Sequence, residues 1–192
     1  MQGFYGIADA QYGAVDQQTK LLLQGGAFAI QLRCKGWSIQ QITASAKDCH
    51  ALCRDRGIPL LINDHILPEF SDGAHLGQDD GSFKRHHLPA GFLVGRSTHS
   101  IQQLHDAIQE GVDYVGFGPV FPTHTKTDTS PRVTLGDLQQ AGSAGIPVVA
   151  IGGITLERLP KIQECGIRSW TAISAIWEHA DPIAQIRAFS RV

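Results

Sequence analysis

The chain has 192 residues, 42% of them hydrophobic and 18% charged, which is enough for one domain with a substantial core and excludes a disordered chain. A net charge of −2 gives no general attraction for nucleic acid or membrane, so any anion site must be local. No apolar run approaches the roughly 20 residues that span a bilayer. The four cysteines form no C-x-x-C pair and no signal peptide precedes the first strand, so a cytoplasmic location is expected.

The first strand is FYGIAD (4–9). A helix then ends at glycine and leads into a second strand, QGGAFAIQLR (24–33). Ser38 and Gln41 have the spacing of a capping box that opens the next helix. Cys49 and Cys53 fall on one face of that helix and read as core packing. DRGIPLLIND (55–64) repeats the glycine-to-strand pattern, followed by GAHLG (73–77) and FLVGRST (92–98). Ser100 and Gln103 suggest a second capping box, and Ile101, Leu104, Ile108 and Val112 recur at helical spacing as a buried face. EGVDYVGFG (110–118), SAGIPVVAIGG (143–153) and ECGIRSWTAIS (164–174) complete eight strands. They are near-continuous apolar runs, as parallel strands covered on both faces require.

Eight strands alternating with helices predict an α/β fold, a (β/α)8 TIM barrel formed by one domain over 1–192. An open doubly wound sheet is the rival. The barrel is preferred because polar residues follow the carboxyl end of nearly every strand, and in a barrel those ends converge on one mouth.

Side chains alternate along a strand, so in AIQLRCKGW (29–37) Gln31, Arg33 and Lys35 share one face while Leu32 and Cys34 share the other. Two cations facing the mouth suit a bound anion, Arg as a planar fork and Lys as a point charge. The alternative is a strand already ended, with both cations in solvent. Asn63-Asp64 ends the next strand, and Gln78, Asp79 and Asp80 follow the fourth. Carboxylates beside cations suit a Mg²⁺ shared with substrate phosphate; plain ion pairs are the alternative. Ser97-Thr98-His99 ends the fifth strand. Thr123, Thr125 and Lys126, in GPVFPTHTKTD, form a second anion-binding segment or a solvated loop. In AIGGI (150–154), Gly152 and Gly153 let a phosphate approach the backbone, and Thr155 and Ser174 could add hydroxyls. No Ser–His or Cys–His nucleophile stands out. One metal-assisted diphosphate site, one monophosphate site and no nucleophile point to ionisation of an activated diphosphate ester.

Taken in order, QLRCK, ND, HLGQDD, STH, PTHTK, AIGGI and ISAI resemble the thiamine-phosphate synthase (thiamine-phosphate pyrophosphorylase) family over nearly the whole chain. The resemblance implies a transferase with two small-molecule substrates, hydroxymethylpyrimidine diphosphate and thiazole phosphate. Diphosphate would leave, and the thiazole nitrogen would capture the pyrimidinylmethyl cation. It implies that Gln31 holds the pyrimidine and that Arg33, Lys35, Asn63 and Lys126 hold the diphosphate. Asp64 and Asp80 would bind Mg²⁺. Ser97, Thr123 and Thr125 would line the space between the substrates, and Gly153, Ile173 and Ser174 would hold the thiazole phosphate. Arg33, Lys35, Ser97 and Lys126 would carry the catalysis.

Some features depart from the family. HILPEFSDGA is shorter than usual and carries Pro68, so a third helix shortened to a turn is expected, with Asp80 displaced from Asp64. The chain begins almost at strand one, where the family has a leading helix. Trp170 and Trp177 flank the eighth strand; Trp170 either packs outward against helices or fills an interface, which leaves a homo-oligomer open. Two other functions compete: a thiazole tautomerase using His99, and a non-catalytic barrel that binds thiamine-related ligands.

Overall fold

A computed structural model describes residues 1–123, 125 and 132–192. Eight strands close into a parallel barrel in chain order: β1 Gly3–Asp9, β2 Ala29–Arg33, β3 Leu60–Asn63, β4 Gly73–Leu76, β5 Leu93–Thr98, β6 Tyr114–Phe117, β7 Val148–Ala150 and β8 Ser169–Trp170. The predicted strands are all present, though β8 has only 2 residues. The helices outside the barrel are α1 Val15–Gly25, α2 Ile39–Arg54, α3 Ile101–Glu110, α4 Leu135–Gly142, α5 Leu159–Glu164, α6 Ser174–Trp177 and α7 Pro182–Ser190. None of the described helices is long and apolar enough to cross a membrane.

Strand alternation divides the core in two. Ile30, Leu32 and Cys34 face outward and pack with the helices, where Cys49 and Cys53 are also fully buried. Tyr5, Ile7, Ala29, Leu61, Tyr114, Val149 and Ile173 fill the barrel interior. The capping box at Ser38 forms in both directions. The one at Ser100 is half made: Ser100 accepts from Gln103 N–H, but the Gln103 carbonyl accepts from His99 N–H instead. The buried face of α3 is built on Leu104 and Ala107, whereas Ile108 is 37% exposed.

Helices do not alternate with strands throughout. Residues 64–72 contain no helix, as expected around Pro68, and residues 77–92 contain only the 3₁₀ turn Arg85–His87. In the second crossover Gly81 and Gly91 take positive φ and Pro89 removes a donor, so a regular helix cannot form. Two arginines hold the irregular segment instead. Arg85 donates to Phe92 O, Gly111 O and Asp113. Buried Arg96 donates to Gly77 O and Gly81 O and pairs with Glu110 at 2.6 Å.

The seam between β8 and β1 is short, pairing only Gly3 with Ser169 and Phe4 with Trp170. Trp170 faces outward under α7, 2% exposed, and donates its indole N–H to Phe189 O at 3.1 Å. Of its two expected placements, the outward one is realised. Trp177 reaches back across the seam and donates to Ile7 O at 2.9 Å. Trp177→Phe, which keeps the ring packing and removes this donor, is expected to cost about 1–2 kcal/mol. A lower urea midpoint with an unchanged slope would report it.

Candidate active site

The carboxyl ends of β1 to β5 open into a cavity of about 1020 Å³ lined by Asp9, Arg33, Lys35, Asn63, Asp64, Gln78, Asp79, Asp80, Ser97, His99 and Thr125. The expected inward face holds for Gln31 and Arg33, which lie on β2; the strand ends at Arg33, and Lys35 stands in the turn beyond it at the rim of the cavity. Neither cation is left facing the other. The Arg33 guanidinium pairs with Asp9 at 2.6 Å, and the Asp9 side chain is 1% exposed. Lys35, more than half exposed, reaches Asp64 at 2.6 Å. Asp9 carried no motif in the sequence; its one signal was its place at the carboxyl end of β1, next to Arg33 in the β1–β2 register. Its peptide N–H and C=O are both bonded by the Gln18 side chain, which fixes the loop that carries it.

Asp64 sits just beyond β3 with φ of 67°, unusual for a residue with a side chain, and its N–H is bonded to His75 O. Burial raises its pKa; Lys35 opposes the shift and the neighbouring Asp80 carboxyl, within hydrogen-bond reach, adds to it. Asp80 in turn accepts from Gly77 N–H at 2.6 Å. The shortened 65–74 segment therefore leaves the two carboxyls together rather than apart. Among the described residues there is no cluster of three or more His, Cys, Asp or Glu side chains suited to a metal. The Asp64–Asp80 pair nevertheless fits Mg²⁺, which commonly takes one or two carboxylates and fills its remaining positions with water and phosphate oxygens. A partly desolvated carboxyl crowded by a second one is a site where a cation relieves repulsion.

Below the mouth, Gln31 donates to Asn63 Oδ1 at 2.6 Å and its own carbonyl accepts from Tyr5 OH at 3.2 Å. Tyr5 and Tyr114 hydroxyls lie 2.8 Å apart, His75 Nδ1 is 2.8 Å from Tyr114 OH, and His75 Nε2 is 2.9 Å from Ser97 Oγ. Sequence reading found the two ends of this chain and missed its middle, because aromatic residues in strands read as core.

A second, narrower cleft of about 50 Å³ is lined by His99, Gly118, Thr123, Thr125, Gly152, Gly153, Thr171, Ile173 and Ser174. Gly153 has φ of 60°, and a β-carbon there would lie 2.3 Å from Pro122 O, so no larger residue fits. Arg158 donates to Gly153 O and stacks over Phe121, holding this turn. Thr123 and Thr125 hydroxyls are 3.3 Å apart. Thr155 does not line the cleft. Thr171, absent from the expected set, is 2% exposed and its hydroxyl has no partner among the described residues. His99 Nδ1 donates to Gly118 O, which turns the ring toward the junction of the two compartments. Lys126 lies outside the described residues.

Residues 4–176 match the family model for thiamine monophosphate synthase. The chain belongs to that family. It is 38% identical over 176 residues to a thiamine-phosphate synthase of Synechococcus sp. (strain WH7803), covering 89% of this chain but only 50% of that protein. The chain thus spans half the length of that relative. With the thiamine-phosphate synthase of Bacillus licheniformis it shares 38% identity over 88% of this chain and 79% of the relative. The Caldivirga maquilingensis synthase is 33% identical over 98% and 95%. Among solved structures, thiamine phosphate pyrophosphorylase from Pyrococcus furiosus superposes with a TM-score of 0.88 at 25% identity, covering 99% of this chain and 94% of that one.

Proposed function

We propose that this barrel acts as one catalytic domain that joins hydroxymethylpyrimidine diphosphate to thiazole phosphate, giving thiamine phosphate and diphosphate. Membership in the thiamine monophosphate synthase family supports a transferase that releases diphosphate. The observation that carries the assignment to this mouth is its division into two adjoining compartments. One is broad, with Arg33, Lys35 and paired carboxyls; the other is narrow and glycine-walled; His99 and Thr125 border both.

The larger compartment would take the diphosphate ester, with the pyrimidine over Gln31 and the diphosphate against Arg33, Lys35, Asn63 and Lys126. The carbon–oxygen bond breaks with its electron pair leaving on diphosphate, so stabilisation of that anion is the main demand on the protein. Arg33 is suited to this because Asp9 holds its fork in place before substrate arrives. Lys35, more exposed, can leave Asp64 for the diphosphate. Asp64 and Asp80 would hold Mg²⁺, which when bound neutralises charge on the departing diphosphate. The smaller compartment would fix the thiazole phosphate against Gly153, Ile173 and Ser174. That places the thiazole nitrogen, past Thr123 and Thr125, to form the new carbon–nitrogen bond near Ser97. The four cysteines are unpaired, which suits the reducing cytosol where this reading places the protein.

The tautomerase reading is less favoured, since Arg33, Lys35, Asp64 and Asp80, the cations and acids suited to a diphosphate and its metal, line the mouth. The direct test is chromatographic detection of thiamine phosphate from the two substrates with Mg²⁺. Product is expected to require both substrates. No product, together with no calorimetric binding of the pyrimidine diphosphate, would remove the proposal.

A further inference from the structure

The polar chain inside the barrel links Asn63 to Ser97 through five hydrogen bonds: Asn63–Gln31, Gln31–Tyr5, Tyr5–Tyr114, Tyr114–His75 and His75–Ser97. Each bond needs one hydrogen, and each group has a limited supply. The Gln31 amide sets the direction. Its NH₂ donates to Asn63, so its carbonyl must receive the Tyr5 hydroxyl hydrogen. Tyr5 then has none for Tyr114, and Tyr114 must donate to Tyr5. Tyr114 is left as an acceptor for His75, which places the imidazole hydrogen on Nδ1. In the neutral imidazole Nε2 is then a lone pair, and it accepts the Ser97 hydroxyl hydrogen. Burial raises the pKa of both tyrosines, so each keeps its single proton. The imidazole has its seat because β6 carries Gly116 beneath it, where a β-carbon would lie 3.1 Å from His75 Cε1.

We infer that His75, held as the neutral Nδ1–H tautomer by Tyr114, is a positioning residue that gives the two ends of the chain opposite polarity at the mouth. Asn63 spends its carbonyl on Gln31 and presents its NH₂ to the cavity as a donor. Ser97 spends its hydrogen on His75 and presents oxygen lone pairs. This inference rests on the proposed synthase reading, in which a diphosphate leaves and an electron-poor pyrimidinylmethyl carbon forms. A donor then faces the departing anion, and an acceptor faces the cationic fragment. Reversal of the chain would present each end with the wrong sign.

The tautomer can be read without catalysis, from long-range ¹H–¹⁵N correlation spectra of protein labelled at histidine. A His75→Gln variant identifies the signal. Nδ1 should be pyrrole-like and Nε2 pyridine-like in the unmodified protein. Tyr114→Phe removes the acceptor that locks Nδ1–H, so the tautomer signature should be lost or mixed, and kcat should fall about tenfold with KM for the diphosphate ester unchanged. Tyr5→Phe leaves Tyr114 able to accept from His75, so the signature should stay. An Nε2–H tautomer in the unmodified protein, or an unchanged signature in Tyr114→Phe, would overturn the inference. Product formation alongside either result would leave the synthase reading standing, and correct spectra without product would remove that reading alone.

Discussion

Arg33→Ala is expected to lose both turnover and stability, for separate reasons. Arg33 is the fork aimed at the leaving diphosphate, and removal of one preorganised electrostatic contact of this kind costs about 10²–10³ in kcat. Its loss also strands Asp9, which is 1% exposed and has Arg33 as its ion-pair partner at 2.6 Å. Breaking a buried pair from one side costs about 3–5 kcal/mol, because the remaining charge is desolvated without compensation. In a domain of this size that is a fall in Tm of roughly 6–15 °C. The two effects separate in the double variant Asp9→Asn/Arg33→Ala. It should recover most of the stability, since no charge is stranded, and none of the turnover. Thermal unfolding and initial rates on the three proteins measure this. A single variant with normal Tm would show that water reaches Asp9 and that the pair is not structural.

Asp64→Asn is expected to separate function from stability in the opposite way. Burial and Asp80 hold the Asp64 pKa above its ordinary value despite Lys35. A carboxyl with a raised native pKa binds more protons folded than unfolded between the ordinary and the raised value. Stability therefore falls as pH rises through that window, and the deficit persists at neutral pH. Asparagine removes the charge, and it also tolerates the positive φ of 67° at this position better than most residues. The Tm in chelator should be unchanged or higher than that of the unmodified protein. Turnover at saturating Mg²⁺ should drop by about 10²–10³, since one of the two carboxylates proposed to carry the ion is gone. A destabilised variant with normal turnover would overturn both the electrostatic account of Asp64 and its proposed role.

The barrel was legible because its strands are continuous apolar runs preceded by glycine turns, and that pattern depends on local chemistry. The inward pair Gln31 and Arg33 was legible for the same reason, since strand alternation is independent of what the strand packs against, whereas Lys35 lies past the end of β2 in a turn that alternation does not govern. Two helices expected from simple alternation were not formed. Around Pro68 the signal was local and visible. In 77–92 Gly81, Pro89 and Gly91 were visible too, but the hold that Arg96 on β5 takes on Gly77 O and Gly81 O is a contact between separate segments that no short window displays. The α3 stripe failed at Ile108 for a similar reason: spacing names a face, but the neighbouring layer decides its centre.

By itself, the order of residues determined the strand count, the parallel arrangement and the polar rim, because these follow from backbone period, turn chemistry and burial. Tertiary structure decided the partners. Asp9 belongs to Arg33 and Asp64 to Lys35 and Asp80 through strand register and loop length. Tyr5, Tyr114 and His75 become one polar chain only when three strands bring them inside the same closed barrel. Charge pairing and hydrogen-bond polarity act over a few ångströms in space, and residues as far as 109 positions apart meet at that range only after the barrel closes.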